Sequence, residues 1–222
     1  IGGVLGNHAI SIASVLQKNG VTVSAGHTLA TYSQAMLAFE AGITCVTHLF
    51  NAQPEVGHRE PGLAGAALAS SGVFASLIAD GVHVHPAMVN VAWKSKGRHL
   101  ILVTDAVCAL GMPPGSYRVG ELEAIADASS VRLPDGTLAG SNATPERCIR
   151  NLASNAGCSI REAASAMSTA PAELLGLRRK GSLRPGMDAD LTLITPEGEV
   201  AATIIAVGAG ISWLVRALSP LP

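Results

Sequence analysis

Four short apolar runs, residues 21–24, 43–47, 73–79 and 100–104, alternate with helix-like or looped stretches, and each is followed closely by a side chain able to do chemistry: His27, His48, His83 and Asp105. Apolar runs of this length between turn signals read as strands buried on both faces. Repetition of strand then helix sets such strands parallel in one sheet with covered faces, as in an α/β barrel. The carboxyl ends of parallel strands open on one side, so residues far apart in sequence converge there. A buried histidine or aspartate without a partner costs on the order of several kcal/mol. Four at equivalent positions therefore point to a shared ligand; a hydrogen-bonded polar core cluster is the competing explanation.

The intervening segments support this order. Residues 8–19 have an apolar helical face and stop before Gly20; His8, at the start, has no partner nearby in sequence. Thr31 with Gln34, and Ser159 with Glu162, have the spacing of capping boxes and predict helices reaching residues 41 and 167. Residues 63–70 are small and helical, and Pro86 suits the first turn of a helix that runs to Lys96 and ends at Gly97. Residues 51–62 read as a loop, and residues 106–117, with Gly111, Pro113, Pro114 and Gly115, as a mobile loop over the carboxyl face. Residues 131–139 predict a hairpin turning at Asp135-Gly136. Thr144-Pro145 caps and starts a helix of about three turns, and Thr169-Ala-Pro171 opens a short one. The texture changes at Lys180: residues 191–194 and 200–207 predict a hairpin in a separate small β-layer, dividing the chain into residues 1–180 and 181–222. Residues 1–7 and 208–222 receive no assignment.

A net charge of -1 argues against nucleic acid or an anionic membrane as the main partner. Hydrophobic residues make up 48% of the chain but aromatics only 3%, which suits a small-residue α/β protein better than an aromatic-rich sandwich. Cys45, Cys108, Cys148 and Cys158 form no CxxC pair and no zinc-finger spacing, and read as free thiols of a reducing cytosol. No charged leader precedes an apolar run, and the longest uncharged stretch, between Glu199 and Arg216, is short for a membrane span. The expectation is a soluble, cytoplasmic protein.

Two imidazoles and a carboxylate at strand ends suit a hydrolytic metal site. Neutral imidazole favours zinc or ferrous iron, and an open position keeps a water whose pKa the ion lowers. His27 and His48 are the candidate ligands, and Asp105 the acid/base that takes the water's proton and passes it to a leaving amine. Arg59 offers a planar fork to a phosphate or carboxylate, with His83 as a second anion-binding candidate. The amide groups at Asn51-Ala52 suit a sugar hydroxyl or a phosphate; a solvated arginine and a turn asparagine are the plainer alternatives.

The ordered set Gly-His27-Thr, Thr-His48-Leu-Phe-Asn51-Ala52, His58-Arg59-Glu-Pro-Gly62-Leu-Ala-Gly65, Ala79-Asp80-Gly-Val-His83, Leu102-Val-Thr-Asp105-Ala and Leu138-Ala139-Gly140-Ser resembles the N-acetylglucosamine-6-phosphate deacetylases of the amidohydrolase superfamily. The resemblance covers about residues 10–207, and the terminal Gly186-Met-Asp-Ala-Asp190-Leu is shared more widely across amidohydrolases. It implies an α/β fold, the C-terminal half of a metal-dependent (β/α)8 TIM barrel plus part of a small β-sandwich. The implied reaction is hydrolysis of N-acetylglucosamine 6-phosphate to acetate and glucosamine 6-phosphate. The implied cofactor is a divalent metal, zinc or else ferrous iron.

Residue by residue, His27 and His48 match the family's metal ligands and Asp105 its acid/base. Asn51, Ala52, Leu138, Ala139 and Gly140 match substrate-binding positions. Arg59 and His83 match positions that hold the substrate and its phosphate, the arginine reaching in from the neighbouring subunit of a homodimer. The family's glutamate ligand, in a His-Leu-Glu-Gly-Pro motif, and its carbonyl-polarising histidine fall ahead of Ile1, and Gln53 stands where the family usually has methionine. A half barrel is expected to leave two sheet edges unpaired. Two other readings therefore stand beside the deacetylase: an amidohydrolase acting on a cyclic amide, and a non-catalytic fragment that associates with a partner chain.

Overall fold

The computed structural model describes residues 7–205. The expectations for residues 1–6 and for everything after residue 205, including the end of the last hairpin, lie outside the described residues. Helix α1 (Asn7–Lys18) precedes a four-stranded parallel sheet, β1 (Ser24–Ala25), β2 (Cys45–Val46), β3 (Phe74–Ile78) and β4 (Leu100–Val103), in that spatial order. Helices α2 (Tyr32–Glu40), α3 (Gly62–Ala69) and α4 (Pro86–Lys96) connect successive strands, as the alternating pattern predicts. The first strand lies slightly later than expected, although backbone bonds from Thr44 to Val23 and from Thr47 to Ala25 lengthen its pairing.

Both capping boxes form, at Thr31 with Gln34 and at Ser159 with Glu162. The second opens α6 (Ile160–Ser165), which follows α5 (Pro145–Ala156) and precedes α7 (Thr169–Leu174). Thr144 stands at the N-cap of α5, but its side chain makes no capping bond, which corrects that expectation; Pro145 at the first helical position sets the start instead. The main core is built from small and branched residues: Ala25, Val46, Leu49, Leu63, Leu77, Leu100 and Leu152 are all buried where helices meet the sheet. No helix among the described residues is long and apolar enough to cross a membrane.

Two expectations need correction. Part of the segment read as a mobile loop is strand: β5 (Gly115–Val119) pairs antiparallel with β6 (Leu122–Ala126), which pairs with β7 (Val131–Arg132). The glycines and prolines before Tyr117 hid a hairpin with a two-residue turn at Gly120-Glu121, and Ala109, Ala124, Ala126 and Val131 give it a core of its own. The turn at Asp135-Gly136 forms as expected, with Leu133 and Thr137 bonded across it. The second correction concerns the sheet edges. The outer side of β4 is bonded, from the Leu102 N–H to the Ala166 carbonyl and beyond the strand through Ser141. The outer side of β1 has no strand partner among the described residues. The late hairpin is β8 (Leu191–Ile194) with β9 (Val200–Ile204).

Candidate functional site

The parallel register sets Ser24 beside Cys45 and Ala25 beside Val46, so the chain leaves β1 and β2 at the same level. Gly26 permits this approach, because a Cβ there would lie 2.8 Å from the Thr47 Cβ. The Ser24 and Thr47 hydroxyls share a 2.6 Å hydrogen bond just below the site. His27 and His48 then turn toward each other, with their Nε2 atoms 2.9 Å apart and the ring planes at 74°.

Backbone strain marks the same positions. Among the described residues the non-glycine residues with positive φ are His27 (49°), His48 (31°), Phe50 (76°), Ala52 (50°) and Asp105 (51°). Four of these five were singled out from the sequence, and Phe50 lies in the same turn as Ala52. Left-handed backbone costs about 1–3 kcal/mol per residue and persists where surrounding contacts enforce it. The enforcing contacts are present. The His48 N–H donates to the Ser76 hydroxyl at 2.7 Å, and the Leu49 N–H to the Ser76 carbonyl at 2.7 Å. Asn51 donates its side-chain amide to the carbonyls of His48 and Leu49, and Gln53 donates to the Thr47 carbonyl at 2.9 Å. Asn51 therefore braces the turn with the same amide the sequence offers to a substrate.

At the far side of the sheet, Asp105 is exposed beyond β4. Its carbonyl accepts the Ser141 N–H at 2.8 Å, and the Ser141 hydroxyl donates to the Thr104 carbonyl. Gly140 (φ 96°) lies so close that a Cβ would come within 2.9 Å of the Asp105 carbonyl oxygen. The strip Leu138, Ala139 and Gly140 thus adjoins the candidate acid/base, across more than thirty residues of chain. His83, past β3, has a side chain only 4% exposed and is paired with Asp80. Arg59 is exposed and is not joined to the others among the described residues. Its neighbour Glu60 accepts the N–H groups of Tyr32 at 2.7 Å and Gly62 at 3.0 Å, which fixes the loop between the starts of α2 and α3.

Sequence reasoning missed Ser76, Asp80 and Ser141, which hold the candidate groups in place. Ser76 and Ser141 carry no signal of their own. Asp80 did: a carboxylate three residues before a histidine at a strand end can accept that residue's N–H groups.

The donors at His27 and His48 fit a divalent cation in type. Two facing imidazole nitrogens need either one shared proton or one shared cation, and zinc accepts neutral imidazole at about 2.0–2.1 Å. The second ring nitrogen of His48, Nδ1, is buried without a partner among the described residues. These two side chains supply only part of a catalytic shell of about three protein ligands. No group of three His, Cys, Asp or Glu side chains among the described residues is placed to hold an ion.

The chain is similar to known proteins in sequence and in fold. N-acetylglucosamine-6-phosphate deacetylase of Danio rerio is 40% identical over 198 residues, 86% of this chain and 49% of that protein. The Bacillus subtilis enzyme of the same name is 39% identical over 191 residues, 85% of this chain and 48% of its own length. A solved Mycobacterium smegmatis N-acetyl-D-glucosamine-6-phosphate deacetylase variant, in complex with N-acetyl-D-glucosamine-6-phosphate, superposes with a TM-score of 0.86 at 36% identity, covering 95% of this chain and 55% of that one. The chain spans about half the length of the curated relatives it matches. The amidohydrolase family model matches residues 7–209, and the chain belongs to the amidohydrolase family.

Proposed function

We propose that this chain carries metal-ligating, acid/base and substrate-binding residues of an N-acetylglucosamine-6-phosphate deacetylase, which hydrolyses the acetamide to acetate and glucosamine 6-phosphate. The observation that carries the reading is the His27–His48 pair, with Nε2 atoms 2.9 Å apart just beyond the ends of neighbouring parallel strands. The names of the relatives and the ligand of the mycobacterial structure support the substrate.

In this reading His27 and His48 hold a divalent cation, zinc in preference to ferrous iron. When bound, the ion polarises the acetamide carbonyl and lowers the pKa of its water. Asp105 accepts a proton from the attacking water and returns it to the departing amine. Asn51, Ala52, Leu138, Ala139 and Gly140 contact the sugar. His83 and Arg59 bind the phosphate, with Arg59 donated across a homodimer; its exposure on an anchored loop supports this. The same reading divides the chain after residue 180 into a barrel portion and a sandwich portion, of which residues 7–180 and 181–205 are described. The four free cysteines support a cytoplasmic setting. A second reading, a non-catalytic fragment that associates with a partner chain, is favoured by β1, whose outer side has no strand partner among the described residues.

The test is zinc titration of the 222-residue chain followed by assay of acetate release. His27→Ala and His48→Ala should each weaken zinc binding at least about tenfold; undiminished binding overturns the metal assignment. Asp105→Asn should bind zinc normally and release no acetate; release by that variant overturns the acid/base role. Absence of any turnover by the zinc-loaded unaltered chain favours the non-catalytic reading.

A further inference from the structure

The proposed roles leave one buried carboxylate unused. Asp80 is 1% exposed and stands directly after the apolar run of β3. Its Oδ1 accepts the N–H groups of Val82 at 2.9 Å and His83 at 2.8 Å, and its Oδ2 lies 2.7 Å from His83 Nδ1. Gly81, at φ 85°, makes the tight turn that brings these groups together, and Asn151 of α5 donates to the Ala79 carbonyl at 2.8 Å and braces it from behind. Burial pushes the Asp80 carboxyl up, but the hydrogen bonds from the His83 side chain and the backbone of His83 and Val82 outweigh it and hold the group below the ordinary carboxylate range.

An ionised carboxylate only accepts, so the hydrogen of the 2.7 Å contact belongs to the imidazole. That leaves Nε2 as the ring atom without a partner among the described residues. The ring cannot rotate without breaking a bond to a buried carboxylate, which costs more than losing a neutral hydrogen bond.

We propose that Asp80 is a positioning residue for substrate binding: its carboxylate fixes the Nδ1–H form and the orientation of His83, so that Nε2 is presented to an oxygen of the phosphorylated sugar. The identity of that ligand rests on the deacetylase reading; the Asp80–His83 relation does not. In the Nδ1–H form Nε2 accepts, so the oxygen it meets brings the hydrogen, as a sugar hydroxyl or a protonated phosphate oxygen does.

The experiment is nitrogen-15 NMR of the histidine-labelled 222-residue chain, with the His83 signals identified by their loss in His83→Asn. The expected pattern without ligand is protonated Nδ1. Asp80→Asn keeps an oxygen for the two backbone donors but turns an amide NH2 toward Nδ1, so His83 should switch to the Nε2–H tautomer while circular dichroism stays unchanged. In the same samples, Asp80→Asn should weaken N-acetylglucosamine 6-phosphate binding about tenfold or more and leave zinc affinity unchanged. An Nε2–H tautomer in the unaltered chain, the same tautomer with and without Asp80, or measurable and equal sugar-phosphate affinities in the two proteins would each overturn the proposal. Should the unaltered chain show the Asp80-dependent tautomer yet bind no sugar phosphate, the deacetylase reading falls while the positioning of His83 stands.

Discussion

Gly26 and Thr47 face each other across the first two strands so closely that a methyl group at residue 26 would sit 2.8 Å from the Thr47 Cβ. Real carbon atoms do not pack at that separation, and the Thr47 backbone is tied to Ala25 by a 2.8 Å hydrogen bond. Gly26→Ala must therefore push β1 and β2 apart at the level where His27 and His48 meet. The expected cost is about 1–3 kcal/mol of stability, measured by urea unfolding, with a parallel loss of zinc affinity. Normal zinc affinity in a destabilised variant would show that the imidazole pair does not depend on this approach.

Lys96 is 4% exposed and donates to the Ala67 carbonyl at 2.8 Å and the Ser70 carbonyl at 2.5 Å, closing the end of α3. Burial lowers its pKa from 10.5 to about 8, with Cys45 opposing the shift. Below pH 8 the lysine is charged in both states and contributes no pH dependence. Between about 8 and 10.5 the unfolded chain holds the proton more tightly, so raising the pH favours folding. Buried thiols act in the other direction: burial raises Cys45 and Cys158 above 9.0 and Cys148 to about 12. Above pH 9 the unfolded chain has lost protons that the folded one keeps, and stability falls. The urea midpoint should therefore rise from pH 8 to 9 and then decline, and Lys96→Met should remove the rise. Identical profiles for the two proteins between pH 8 and 9 would contradict this account.

The sheet and the ends of its strands were legible because apolar run lengths and capping boxes are local signals. Val46, Leu77 and Leu100 sit in the core as the runs require, and the imidazoles of His27 and His48 meet because parallel register aligns their strands. Other features depend on contacts that no local pattern encodes. Ser76 supports His48 across 28 residues, and Ser141 reaches the Thr104 carbonyl across 37. The β5–β6 hairpin was hidden because its partly exposed strands follow a glycine- and proline-rich stretch. Asp80 could have been read from its spacing to His83, yet its burial and three hydrogen bonds come from the fold.

Arg59 separates the phosphate-specific reading from the cyclic-amide alternative. An arginine that pairs with phosphate contributes charge-assisted bonds of about 1.5–3 kcal/mol. In any active form, Arg59→Ala should raise KM for N-acetylglucosamine 6-phosphate about tenfold or more and barely change KM for the unphosphorylated sugar. Equal effects on both would favour the alternative. If Arg59 serves a neighbouring subunit, mixing Arg59→Ala chains with inactive Asp105→Asn chains should restore a low KM for the phosphorylated sugar. One site of the mixed dimer would then hold both an intact Asp105 and a partner's arginine.

Gly140 tests whether Asp105 is held for chemistry separately from the metal ligands. A Cβ at residue 140 would meet the Val107 Cγ1 at 2.6 Å and the Asp105 carbonyl at 2.9 Å, and φ of 96° is strained for any side chain. Gly140→Ala must displace the backbone that sets Asp105, two strands away from His48 in the sheet order. Stability should fall by about 1–3 kcal/mol. Zinc affinity at the histidine pair should stay within about twofold, because distant sites combine nearly additively. Acetate release in any active form should fall in kcat, since a displaced acid/base weakens the transition state, and KM should rise with it because Gly140 is also a proposed sugar contact. A loss of zinc affinity matching the loss of turnover would instead make Asp105 and the two histidines a single cooperative unit.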